Sequence, residues 1–189
     1  MMWMSTCAVF EGNDAGMPSL FCFDTNILIF VMKALDGSMP SDPGQAELVA
    51  RAGELIRRLD KDNDRVMLPA LVVSEYLLGE APERHPHVIR SFQASFVIEP
   101  FDIQCARIFS QLWHADGRGR SLEKGTLPPN MTRNDFRAEL RADFIITATA
   151  VAKKATALYT NDPHCESFSN GAVPCRPLPE LSAQQHSLF

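Results

Sequence analysis

Short apolar runs alternating with longer amphipathic stretches predict an α/β domain whose mainly parallel sheet is covered on both faces. Two observations carry this expectation. Apolar segments of three or four residues, at 20–23, 66–68, 96–98 and 157–160, are separated by stretches with helical periodicity, and no turn pair such as Asn-Gly joins two apolar runs as a hairpin would. The chain's 189 residues, 46% hydrophobic and 22% charged, also suit one ordinary globular domain and exclude disorder, collagen and coiled coil.

Taken in order, residues 1–19 mix Met, Gly, Asn, Asp and Pro without periodicity and read as a flexible extension, with Met17 a second possible start. Residues 20–23 are the first strand and 25–35 the first helix, capped by Asp24 or Thr25. Pro43 precedes a second helix over 45–59, on which Leu48, Ala52, Leu55, Ile56 and Leu59 make one stripe. The strand at 66–68 stops at Pro69, which suits the first turn of a helix over 71–78. A helix over 86–95, a strand over 96–98 and a helix over 103–114 follow, the last with Ile103, Ala106, Arg107 and Ser110 along one side. Residues 116–129 are rich in Gly, Pro and basic side chains and read as a loop. Thr132 with Asp135 three positions on resembles a capping box and opens a helix to about 154, through Phe136, Leu140, Ile146 and Ala150. A strand over 157–160 and a Pro-rich segment at 173–179, able to supply one more short strand, complete a core domain at 20–179; residues 180–189 are a tail.

The formal net charge of −5 removes the simplest argument for nucleic-acid binding, since a generic phosphate-binding domain is basic. Such a ligand would need local devices. Cys7, Cys22, Cys105, Cys165 and Cys175 are odd in number, widely spaced and contain no CxxC pair, so neither a disulfide framework nor a zinc finger is expected. Without an apolar stretch of about 18 residues or a signal-peptide pattern, no membrane span or leader is expected, and reducing cytoplasm is the default location.

Ligands of open α/β sheets bind at the carboxyl ends of the strands. Asp24 follows the first strand and Asp162 the strand at 157–160, so both should project toward one rim. Glu75 shares an apolar stripe with Leu71, Val72 and Leu78, and Asp143 shares its helix face with Phe136, Leu140, Ile146, Thr147 and Ala150. An inward carboxylate costs several kcal/mol unless it finds a cation, a donor or a proton. Singly, each acid has a structural reading, Asp24 as a helix cap and Asp162 as a turn residue. Together they favour a site, and a divalent ion preferring oxygen, Mg²⁺ or Mn²⁺, would relieve their repulsion.

Asp24-Thr25-Asn26 after a short apolar strand, Glu75 in Val-Val-Ser-Glu-Tyr, Asp143 in Ala-Asp-Phe-Ile-Ile-Thr-Ala-Thr-Ala, and Thr160-Asn161-Asp162 together resemble the PIN domain, in the order and spacing of its VapC group of bacterial toxins. The resemblance spans about 20–179. It implies a three-layer α/β/α sandwich and a metal-dependent ribonuclease held inactive by a cognate antitoxin. On that resemblance Asp24, Glu75, Asp143 and Asp162 are the catalytic, metal-ligating acids, and Thr25, Asn26 and Thr160 orient them by hydrogen bonds. The 1–19 extension and the 116–129 segment depart from the pattern and leave substrate and partner contacts open.

Arg118, Arg120, Lys124, Arg133 and Arg137 are the candidate local device for RNA phosphates, each with an alternative reading as an ordinary solvated side chain. Other phosphate chemistries fail on the letters. Lys124 precedes Gly125, the reverse of P-loop order; no GxGxxG opens the first helix; Asn26 stands where a haloacid-dehalogenase-like phosphatase needs an aspartate; and no GxSxG surrounds Ser74 or Ser121. His85, His87 and His164 read as loop residues rather than zinc ligands. The rival class is a PIN-like module that binds RNA or protein without turnover. The stripe at 45–59 suits a homodimer face, an antitoxin helix or the core equally.

Overall fold

Five strands, β1 (Leu20–Phe23), β2 (Arg65–Pro69), β3 (Val97–Glu99), β4 (Ala157–Tyr159) and β5 (Cys175–Arg176), form one parallel sheet in the order β3-β2-β1-β4-β5. The structure is a computed structural model and describes residues 18–181, the side chain of Arg118 excepted. Residues 1–17 of the expected extension, Met17 included, and 182–189 of the expected tail lie outside the described residues.

The chain runs from β1 outward through β2 to β3 and returns to β4 on the far side of β1. Right-handed crossovers then place α1 (Thr25–Leu35), α2 (Pro43–Lys61), α3 (Ala70–Leu78) and α4 (His85–Ser95) over one face of the sheet. By the same rule α5 (Ile103–His114), α6 (Arg118–Glu123) and α7 (Arg133–Ala152) cover the other. The short α8 (Cys165–Ser169) packs on α7 beside β5. This is the PIN-like α/β/α sandwich expected. Its topological switch point lies between β1 and β4, where Phe23 pairs with Tyr159 and the Asp24 N–H reaches the Tyr159 carbonyl at 3.1 Å.

Side-chain caps start the long helices, at Asp24 and Thr132 as the sequence suggested and at Asp42 and Asp102, which it had not singled out. Asp24 accepts from the Ile27 N–H, Asp42 from Gln45, Asp102 from Cys105 and Thr132 from Asp135. Ala52, Leu55 and Leu59 of α2 are buried in the main core with Phe21, Phe23, Ile27, Leu28 and Met67, and Leu48 and Ile56 pack against it, so the stripe at 45–59 serves the core.

Three expectations change. The helix α5 buries Cys105 and Leu112 and packs Phe109 and Trp113 against Phe144, leaving Ile103 84% exposed. The aromatic rings, not the aliphatic start of the helix, set its rotation. Residues 116–129 are only partly a loop: a 3-10 turn at Ala115–Gly117 leads into α6, whose Leu122 packs with Leu112, Leu140, Phe144, Ala148 and Phe168. A Cβ on Gly119 would stand 2.3 Å from Trp113 Cδ2, so glycine lets α6 lie against the indole. Finally, Cys165 and Cys175 form a disulfide, with Cα atoms 6.1 Å apart. Their ten-residue separation carries no local signal; β4–β5 pairing brings Cys175 beside α8. Cys22 and Cys105 are free and buried.

Among the described residues, no helix is long and apolar enough to cross a membrane. Closing a ten-residue loop stabilises a fold by about 2–3 kcal/mol. Cys165→Ser with Cys175→Ser should therefore lower the melting temperature by several degrees, and a dithiol reductant should lower that of the unaltered protein by the same amount. No shift in reductant would show the bridge to be absent in solution.

Candidate functional site

At the carboxyl end of β1, Asp24 is 9% exposed. One of its carboxylate oxygens, Oδ1, accepts the Ile27 N–H at 2.9 Å, the cap that starts α1. The Thr160 hydroxyl also donates to Asp24, and the Asn26 backbone N–H adds to this. The same hydroxyl oxygen accepts the Asp162 N–H at 3.0 Å, while Asp162 Oδ1 accepts the His164 N–H at 2.8 Å and closes the turn into α8. Thr160 thus links the two aspartates across the switch point. On α3, Glu75 Oε2 accepts from the Thr25 hydroxyl, which fixes this helix-borne acid against the start of α1. Asp143 enters from α7.

These four acids line one cavity of about 900 Å³ with Thr25 and Asn26. The sequence-derived set is therefore brought together in space, with Thr160 behind Asp24. Glu139, missed in the sequence reading, also lines the cavity. The signal was present, since Glu139 lies four residues before Asp143 and shares its helix face. The rest of the lining is largely apolar: Leu122 and Pro128 from the segment after α5, with Phe136, Leu140 and Ile146 of α7 and Phe168 of α8.

The electrostatics report the crowding. Burial pushes the Asp24 carboxyl up from its ordinary 3.8 to about 6, opposed by the hydrogen bonds from Ile27, Thr160 and Asn26 and reinforced by the Asp162 charge. Asp143 goes to about 8, first through burial and then through repulsion by Asp162, Asp24, Glu75 and Glu139. The donors are carboxylate oxygens, the set that a hard divalent cation prefers, and their mutual repulsion is what such an ion would offset. Their placement is not a closed ligand shell. Among the described residues, no three His, Cys, Asp or Glu side chains converge closely enough to hold one ion.

Among the described side chains, the basic candidates fall outside the lining. Arg120 and Lys124 are exposed on α6 and at its end, next to Leu122 and Gly125, which do line the cavity. Arg118 opens α6. Arg137 is exposed on α7. Arg133 is employed structurally: its Nη1 donates to the Glu123 carbonyl at 2.9 Å and the Gly125 carbonyl at 2.8 Å, clamping that segment to the start of α7. His164 is exposed on the cavity rim and His85 Nε2 faces the Leu77 and Glu80 carbonyls, so neither is part of a transition-metal cluster among the described residues.

An acidic cavity at the switch point of a five-stranded parallel sheet is the arrangement that the resemblance to the PIN domain implied. Solved structures agree on the fold. A chain of the VapBC2 complex from Rickettsia felis, bound to a DNA fragment from its promoter, superposes with a TM-score of 0.53 and 18% identity, over 85% of this chain and 99% of that one. DNA-bound VapBC from Salmonella typhimurium gives 0.53 and 18%, over 86% of this chain and all of the other. No family model and no curated protein matches the sequence.

The raised carboxyls dictate a pH dependence. Asp24 and Asp143 hold protons more tightly in the folded protein, at about 6 and about 8, than in the unfolded chain, near 3.8. The native state therefore binds more protons between pH 4 and 8, and stability falls as pH rises through that window. In a chelator, thermal unfolding at pH 8.5 should show a loss on the order of 5 kcal/mol relative to pH 5. Asp143→Asn should remove most of that slope; an unchanged slope would sink the assignment.

Proposed function

We propose that this protein is a metal-dependent ribonuclease, an endonuclease that hydrolyses RNA phosphodiester bonds, and the toxin of a type II toxin–antitoxin pair. The observation that carries the reading is the convergence of Asp24, Glu75, Asp143 and Asp162 on one cavity at the switch point, with two of the carboxyls driven toward protonation by burial and repulsion. Carboxylates held this way are costly unless they bind a cation.

A bound Mg²⁺ or Mn²⁺ supplies charge neutralisation at the phosphate and an acidified water. The chain's own residues hold and orient the donors. Asp24 is fixed by its cap to Ile27 and by the Thr160 hydroxyl, Asp162 by the same hydroxyl, and Glu75 by the Thr25 hydroxyl. Asp143 meets them from a helix anchored in the second core cluster by Leu140 and Phe144. Arg120 and Lys124, on the segment that walls the cavity, would meet flanking phosphates of the strand, and Arg118 belongs to the same basic run of sequence. Hydrolysis by water breaks the P–O3′ bond and needs no 2′-hydroxyl, leaving a 5′-phosphate and a 3′-hydroxyl.

The antitoxin rests on the fold likeness to chains of VapBC complexes and on apolar side chains available for a partner. Leu35 and Leu78, 57% and 86% exposed, mark the carboxyl ends of α1 and α3. The same surface suits a homodimer. The open arrangement of the acids supports a second reading, a PIN-like module that binds RNA or protein without turnover.

Incubation with a panel of RNAs in Mg²⁺ or Mn²⁺ separates the two. Cleavage to 5′-phosphate ends, abolished by a chelator and reduced at least a hundredfold by Asp24→Asn or Asp143→Asn, is expected; 2′,3′-cyclic phosphate ends, or full activity in chelator, would refute the scheme. Arg120→Ala with Lys124→Ala should weaken RNA binding and flatten its salt dependence by about two charges' worth, measured by fluorescence anisotropy.

A further inference from the structure

The cavity holds more than a catalytic rim requires. At about 900 Å³ it lies within the range of sites that enclose an organic ligand, and half of its lining is apolar. Within that wall Phe136 differs from its neighbours. Phe168 is 4% exposed and packed on Phe144 at 5.3 Å between centroids, so it belongs to the core. Phe136 is only partly buried, belongs to neither core cluster, and meets no other aromatic ring among the described residues. Its ring borders the cavity without stacking on another.

Its position relative to the acids is set by α7. Phe136 and Asp143 are seven residues apart, two turns on one face, about 10 Å along the axis. Leu122 and Pro128 line the same cavity, on the segment held to α7 by Arg133 through the Glu123 and Gly125 carbonyls. An apolar side of the cavity, with a ring that stacks on no other, thus shares one space with the carboxylates.

Resting on the ribonuclease reading, we propose that Phe136 is a specificity-determining residue that stacks on the nucleobase next to the scissile phosphate, with the 122–128 segment lining the same cavity. A phosphate at the acids places its own nucleotide within reach of the ring, and every base offers a π face to it. A base seated there is unstacked and unpaired, so this side of the cavity selects for single-stranded positions in RNA.

Affinity of the full-length Asp143→Asn protein for a single-stranded RNA decamer, and for a decamer of abasic riboses, tests this without turnover. Phe136→Ala and Phe136→Leu, each added to that background, should weaken binding of the base-bearing decamer by roughly tenfold, while Phe136→Trp retains it. All four proteins should bind the abasic decamer alike. Equal losses on both decamers, or retention by Phe136→Leu as full as by Phe136→Trp, would overturn the proposal. Failure of the ribonuclease reading is distinguishable: a protein that cleaves no RNA yet shows this pattern keeps the base site and loses the nuclease, whereas cleavage indifferent to Phe136→Ala does the reverse.

Discussion

Carboxylates gathered out of water at one end of a parallel sheet repel one another, and much of the local structure of this domain serves to hold them there. Asp24 meets the cost with donors: the Ile27 N–H, the Thr160 hydroxyl and the Asn26 N–H all lower a carboxyl that burial raises. Asp143 has no such help, since burial and four neighbouring acids all push it upward, and it ends higher. The pair shows how one cavity holds two acids of different character through their hydrogen bonds and the neighbouring charge each one meets. Thr160 does double duty by taking the Asp162 N–H, and Thr25 brings Glu75 in from α3.

The helix α7 transmits this arrangement to the rest of the molecule. Its first turn clamps the segment after α6 through Arg133, and its middle carries Asp143 to the cavity and Phe144 into the cluster with Phe109, Trp113 and Phe168. Just past its end, Lys153 bonds Asp102 at 2.7 Å and pairs with Glu99 at 3.1 Å, joining the helix to the cap of α5 and the end of β3. The helix is thus pinned at both ends and packed in the middle. An acid that must face four others needs such a frame, because repulsion would otherwise be relieved by moving the backbone.

Much of the site was legible because it depends on local chemistry. An aspartate directly after a short apolar run, a glutamate and an aspartate on apolar helical stripes, and a threonine two residues before an aspartate are all visible as letters. The less legible parts are those where distant residues decide. The rotation of α5 follows aromatic packing on α7 rather than its own aliphatic residues, so Ile103 faces water. The helix α6 forms in a stretch rich in Gly and basic residues because Leu122 and the Trp113 face reward it. Arg133, read as a phosphate contact, spends its guanidinium on two backbone carbonyls whose position no local pattern shows.

By itself the sequence determined the alternation of strands and helices, the helix caps and the identity of the four acids, since each follows from spacing within a few residues. Only the tertiary structure decided that β4 lies directly beside β1 with Phe23 opposite Tyr159, that Cys175 comes within bonding reach of Cys165, and that the 122–128 segment lines the same cavity as the acids. These are contacts between residues far apart in the chain. Their energy comes from burial and pairing across the sheet, which a periodic pattern of letters permits but does not specify.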